Sequence, residues 1–369
     1  MRRIFSSAIL MIGAIGALGL AASAAEAAPC VRDAKVMPTS PQAIACTFFD
    51  SKALADTRAL VILQDGKPVI EHYAPGYGPQ NRFISWSMAK SITSTLVGQL
   101  VGDGALALDA PAPVALWRQT PKDARAAITL RQLLHMSSGL EHWEASNENP
   151  EDPDTNRLLF GDRAADPVPF IAGKPLAHAP GTTYQYSTAT SMLLADIVQR
   201  TAAPAATPQA RKRAMRDYMV RRLIRPAGLS SLVCDFDAAG TMAGGSLCHM
   251  TAMDWARFGQ LYLDGGRAGG AQVVPAAWVD FVRTPAPTDG GYGGHFWLNR
   301  PRPDSRDEAL FPASGPADAY AAIGHLGQYV VIVPSKRLVV VRLGKTNDGD
   351  LAPVRRGLAK LVNAFPDAR

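Results

Sequence analysis

Apolar residues follow two rhythms along this chain. From Ala59 to Gln64 a short apolar run leads into Asp65-Gly66, and Pro68 to Tyr73 follows. Asp-Gly accepts the positive φ values of a tight turn, so the stretch predicts a β-hairpin. Near the other end, Tyr329 to Val333 and Arg337 to Arg342 flank Pro334-Ser335-Lys336 and predict a second hairpin. Helical spacing dominates between them, most clearly over residues 87–101, 129–136, 188–201 and 251–263. In the first of these, Met88, Ile92, Leu96, Leu100 and Val101 are the expected inner positions. Thr251 with Asp254 resembles a capping box with Asp in place of Glu. Residues 352–365 end the chain with Val354, Leu358, Leu361 and Val362 at helical spacing. The simplest arrangement is an α/β fold of the α+β type. Both chain ends share one antiparallel sheet with flanking helices (about residues 45–80 and 285–369), and residues 81–284 form a mostly helical lobe. A cleft between two such lobes is the expected ligand site.

The first residues obey a different logic. Arg2 and Arg3 precede an apolar run from Ile4 to Ala22, and small residues continue through Ala28. A positive start, an apolar middle and a small-x-small exit predict a signal peptide over residues 1–27, cleaved after Ala25-Glu26-Ala27. Ala22-Ser23-Ala24 is a competing exit, and an uncleaved anchor is the alternative, since the run is near spanning length. The expected location is periplasmic or secreted. Export makes the four cysteines read as disulfides, with close neighbours pairing: Cys30 with Cys46 and Cys234 with Cys248, stapling an N-terminal arm and a surface loop.

Composition narrows the function. Of 369 residues 47% are apolar and 19% charged, which excludes disorder as the dominant state. The net charge of +6 is small, and the densest basic group (Arg211, Lys212, Arg213, Arg216) sits at helical spacing. It reads as a solvated face, so no nucleic-acid partner is expected. The spacing of cysteines and histidines fits no metal site, and no nucleotide-binding loop occurs, so neither metal nor cofactor is expected. The G-x-S-x-G elbow of α/β-hydrolases is absent as well.

One motif carries chemistry. Ser87-Met88-Ala89-Lys90 opens the 87–101 helix, and residues three apart share a helix face. A serine hydroxyl is a poor nucleophile until a base removes its proton. A lysine buried near a helix start loses its own proton more easily, because burial and the positive helix end both disfavour the ammonium. Free N–H groups at the same helix start can hold an oxyanion. Two downstream segments can complete a site. Tyr184-Gln185-Tyr186-Ser187 places a phenol before a helix, where a nearby lysine would depress its pKa. Gly324-His325-Leu326-Gly327-Gln328 precedes the second hairpin, where glycines admit a ligand closely.

In this order the three segments resemble the penicillin-recognising serine hydrolases. That family includes class C β-lactamases, D,D-peptidases, family VIII carboxylesterases and 6-aminohexanoate-dimer hydrolases. Residues 129–140 (TLRQLLHMSSGL), Gly244-Gly245-Ser246, residues 251–259 and Tyr292-Gly293-Gly294-His295-Phe296-Trp297 extend the likeness, which covers about residues 59–365. The wording of residues 85–91 (SWSMAKS) is most similar to the aminohexanoate-dimer hydrolase branch. The resemblance implies a small-molecule substrate and named roles. Ser87 would be the acylated nucleophile, Lys90 would hold or take its proton, and Tyr186 would act as general base and then acid. Backbone N–H groups of Ser87 and Gln328 would form the oxyanion hole, while His325, Gly327 and Trp86 would contact substrate. His325 stands where β-lactamases place the Lys of K-T-G, and Thr188 replaces the Asn of Y-x-N. A histidine supplies less fixed charge for a β-lactam carboxylate than a lysine. A small ester or linear amide is therefore the expected substrate. A D,D-peptidase or weak β-lactamase, and a sensor that acylates without turnover, are the alternatives.

Overall fold

The computed structural model describes residues 37–51, 54, 56–144, 153–302 and 309–368. The leader segment 1–27 and Cys30 lie outside them. The first hairpin consists of β1 (Thr57–Gln64) and β2 (Lys67–Tyr73). Its turn residues, Asp65 at φ 49° and Gly66 at φ 73°, both adopt the left-handed backbone that the Asp-Gly pair predicts. Three short strands, β3 (Arg82–Ile84), β4 (Val233–Cys234) and β5 (Cys248–Thr251), form a small sheet in the order β3-β5-β4. The strands β6 (Arg267–Ala268) and β7 (Ala271–Gln272) form a lone pair. Four C-terminal strands follow: β8 (Trp297–Leu298), β9 (Tyr320–Gly324), β10 (Gln328–Val333) and β11 (Leu338–Gly344). They join the first hairpin in one sheet of order β2-β1-β11-β10-β9-β8, with every pairing antiparallel. Both chain ends thus meet in a single sheet.

Side chains alternate across this sheet with the period of two that a strand imposes. Val61, Val330, Val339 and Val341 pack with Ile92, Trp255 and Phe258 of the central helices. Leu60, Ile62, Val331 and Val340 pack with Phe48, Val354, Leu358 and Leu361 of the terminal helices Pro41–Asp50 and Leu351–Asn363. Both faces are covered, which explains why β10 and β11 read as continuous apolar runs rather than alternating ones.

The helix Ala89–Gly102 departs from an amphipathic pattern, because it is buried all round from Ala89 to Leu100. Its polar residues are tolerated inside the protein because each has a partner. Ser91 and Ser94 donate to the carbonyls of His295 and Gly294, and Thr93 donates to that of Gly244. Gln99 donates to the carbonyls of Arg222 and Val273. At residue 251 only half of the expected capping box forms. Thr251 Oγ1 accepts from Asp254 N, but the Asp254 carboxylate turns to Ser231 and Arg257 instead. Cys234 and Cys248 are joined as expected, although not on a surface loop. They are directly paired residues of β4 and β5, 6% and 0% exposed. Cys46 is also disulfide-bonded.

Candidate active site

Ser87 sits at a junction. A single 3-10 turn, Trp86–Met88, precedes the α-helix that begins at Ala89. Trp86 holds φ at 43°, a left-handed conformation that costs a bulky residue free energy and that its surroundings must enforce. Ser85 supplies that enforcement. It is fully buried, donates from Oγ to the Ser246 carbonyl at 2.9 Å, and accepts from Cys248 N at 3.1 Å. The chain is therefore pinned to β5 immediately before Ser87. Among the described residues, Ser87 N–H has no backbone partner.

Lys90 lies one helical turn on and is 1% exposed. Its Nζ is 2.9 Å from Ser87 Oγ, 2.9 Å from Thr188 Oγ1 and 2.8 Å from the Gly245 carbonyl. Burial pushes its pKa down to about 8, against a smaller upward pull from Glu144. Tyr186 reaches the same point from the loop before the helix Thr188–Ala202, whose start is capped by Ser187 Oγ. The Ser87 side chain lies close enough to the Tyr186 phenol to pull its pKa down, and the Tyr186 ring centroid lies 4.9 Å from Lys90 Nζ. Contrary to expectation, the Tyr186 pKa is raised. Burial is the main cause and the negative charge of Glu144 the second, while Lys90 faces the ring rather than the oxygen. Tyr186 is accordingly a neutral phenol at rest.

Ser87, Tyr186, Thr188 and Glu144 line a cavity of about 920 Å³, within the usual range for small-molecule sites, with Lys90 buried behind Ser87. Trp86, Phe160 and His325 form one wall, with the Trp86 ring edge-on to His325 at 5.4 Å and to Phe160 at 6.5 Å. Trp143, Tyr184 and Trp297 line it elsewhere. Two charged groups on the lining are already engaged. Arg302 pairs with the buried Asp289 at 2.7 Å and stacks on Tyr184 and Trp297. Glu144 bonds His142 at 2.8 Å, and its Oε1 accepts from Thr188 Oγ1 at 2.5 Å.

The strand wall bears on the expected oxyanion hole. Gly327 and Gln328 do not line the cavity; Ile323, Gly324 and His325 do. Gln328 pairs with Gly324 inside the β9–β10 hairpin. Its buried side chain donates to the His325, Leu326 and Gly344 carbonyls. The Gly327 carbonyl accepts from the buried Arg342, which anchors the turn from behind. The backbone edge facing the cleft belongs to other residues. Ala319 accepts from Asn299 N, and Ala321 pairs with Trp297, so alternate residues of β9 point toward β8. Ile323 continues that series where β8 has ended. Gly324 admits the close approach, since a Cβ there would sit 2.2 Å from the Ser85 carbonyl oxygen.

Sequence reasoning missed Glu144. It follows a Ser-Ser-Gly-Leu turn and a His-Trp pair, with no spacing to the S-x-x-K motif that could signal contact. Thr188 is recognisable as a substituted position, but its bond to Glu144 is not.

Residues 54–364 match the family described as Beta-lactamase. A 6-aminohexanoate-dimer hydrolase from Paenarthrobacter ureafaciens is 28% identical over 312 residues, covering 80% of this chain and 74% of that protein. Among solved structures, a penicillin-binding protein homologue from Caulobacter crescentus superposes with a TM-score of 0.62 at 17% identity, covering 87% of this chain and 94% of that one. A family VIII carboxylesterase superposes with a TM-score of 0.60 at 15% identity, also over 87% and 94%. At these identities the superpositions establish a shared fold.

Proposed function

The chain is a hydrolase of the Beta-lactamase family, and from that premise we propose that it cleaves a small, uncharged ester or linear amide through an acyl-enzyme on Ser87. The observation that carries the proposal is the buried Lys90 Nζ, 2.9 Å from Ser87 Oγ and 4.9 Å from the Tyr186 ring, with Ser87 and Tyr186 both lining the cavity. Neutral Lys90 takes the Ser87 proton as Oγ attacks the substrate carbonyl carbon. The backbone N–H groups of Ser87 and Ile323 hold the oxyanion of the tetrahedral intermediate. Tyr186 gives its proton to the departing alcohol or amine as the C–O or C–N bond breaks, and is reprotonated from Lys90. Water then enters, loses a proton to the same pair, and releases the acid.

The lining supports an uncharged acyl group. Its guanidinium is committed to Asp289 and its carboxylate to His142 and Thr188, while aromatic faces supply much of the remaining surface. A substrate carboxylate would find no lysine at the position of His325. The identity of the 6-aminohexanoate-dimer hydrolase relative favours linear amides within this class. Export after removal of residues 1–27 is part of the proposal, supported by the Cys234–Cys248 disulfide, which persists in oxidising compartments. No described helix is long and apolar enough to cross a membrane.

Turnover of a panel of p-nitrophenyl esters, short linear amides and nitrocefin tests the reading. The expected order is ester or amide well above nitrocefin, with Ser87→Ala losing nearly all activity while remaining folded. Nitrocefin as the best substrate, or an active Ser87→Ala variant, contradicts it.

A further inference from the structure

A second buried charge stands behind Lys90. Glu144 is 7% exposed and makes four contacts: His142 Nε2 at 2.8 Å, Thr188 N at 2.8 Å, Thr188 Oγ1 at 2.5 Å, and a longer-range attraction to Lys90. Burial alone would push its carboxyl up. The His142 hydrogen bond, the charge of Lys90 and the Thr188 hydroxyl outweigh that and hold it at about 2, so it is ionised.

Hydrogen-bond valence then fixes the orientation of the amine. An ionised carboxylate only accepts, so the Thr188 hydroxyl must donate to Glu144. With its one proton committed, Thr188 Oγ1 must accept from Lys90. The Gly245 carbonyl also only accepts, and takes a second N–H. Two of the three positions on Nζ are thereby occupied by hydrogens pointing away from Ser87. In the neutral amine the remaining position is the lone pair, and it faces Ser87 Oγ at 2.9 Å.

We propose that Glu144, acting through the Thr188 hydroxyl, is a positioning residue that aims the Lys90 lone pair at Ser87. The inference rests on the acyl-enzyme reading above and extends it to residues outside the Ser87, Lys90 and Tyr186 set. Other groups also face this pair. Tyr186 and Tyr292 are neutral phenols raised chiefly by burial. His295 lies with Nδ1 3.2 Å from the Lys90 carbonyl, and burial pushes it down to about 3, so it is neutral through the working range. Behind His142, Asp154 is neutralised by Lys174 at 2.8 Å. Glu144 is therefore the one carboxylate in direct contact with the Lys90–Thr188 pair among the described residues.

The test is kcat/KM against pH for the wild type, Glu144→Gln, Thr188→Val and Thr188→Ser. Active sites are counted by fluorophosphonate titration, so misfolded protein does not enter the rate. Glu144 favours the ammonium of Lys90. Its neutral replacement should move the acid limb to lower pH by roughly one unit, because an opposite charge at this range shifts a pKa by about 1–3 units. Thr188→Val, near-isosteric but unable to relay the bond, should lose about tenfold or more from the plateau. Thr188→Ser should recover a large share of that loss. A structural role alone would lower the count of active sites and leave the limb in place. The proposal is overturned if the limb of Glu144→Gln coincides with that of the wild type, or if Thr188→Val keeps the wild-type plateau. Should Ser87 of the wild type take no label at all, the acyl-enzyme reading fails first. Labelling of Ser87 with an unmoved limb removes only the role of Glu144.

Discussion

The two walls of the cleft are built on opposite plans. On the helical wall Lys90, Thr188 and Glu144 are buried, and each polar atom is held by a named partner. On the strand wall His325 stands exposed at the tip of a turn, its ring edge-on to Trp86, while Gln328 and Arg342 brace the turn from behind. The difference separates two tasks. Moving a proton needs groups fixed to within a fraction of an ångström and shielded from water, because pKa tuning depends on burial. Shaping the substrate opening requires only a braced backbone with side chains that reach over the cavity.

That contrast can be broken by substitution, with effects expected to fall from the first wall to the second. Lys90→Ala should cost about a thousandfold in kcat/KM, since nucleophile and base act as one unit. A loss below tenfold in steady-state assays would remove Lys90 as base. Tyr186→Phe keeps the ring against Trp297 but removes the proton donor, and should cost roughly a hundredfold, with amides suffering more than activated esters. An equal loss on both would show that Tyr186 does not protonate the leaving group. Gln328→Ala should act on stability, removing about 1–3 kcal/mol in urea unfolding, because it leaves buried backbone groups such as Gly344 N–H unpaired. If it abolishes turnover without changing stability, the assignment of the cleft edge to Ile323 is wrong. His325→Ala should be mildest, changing KM by about threefold with kcat nearly intact, as befits an exposed group that contacts substrate without reacting.

How legible the molecule was in its sequence follows the same division. The hairpins and the S-x-x-K pair could be read because they are local: Asp65-Gly66 needs a particular turn, and residues three apart meet on one helix face. The helix Ala89–Gly102 was readable as a helix but not as a fully buried one, since its serines and threonines look like a solvent face until their distant acceptors are known. The depressed lysine is legible, because burial near a helix start is enough to expect it. The Tyr186 phenol departs from the expectation because it is buried and, second, because Glu144, a residue brought in by a loop, adds to the rise; neither is visible in the motif. Which backbone edge of β9 is left open depends on where β8 ends, which is a matter of pairing register that motif order does not contain.

The central claim is that Ser87 is activated by a buried lysine that is neutral when it works. The rate at which a fluorophosphonate labels Ser87 as pH rises measures this most directly. Because burial lowers the Lys90 pKa to about 8, the labelling rate should be low at pH 6, reach half of its maximum near pH 8 and level off above, and should nearly vanish in Lys90→Ala. A rate independent of pH across this range, or labelling of Lys90→Ala at the wild-type rate, would contradict it.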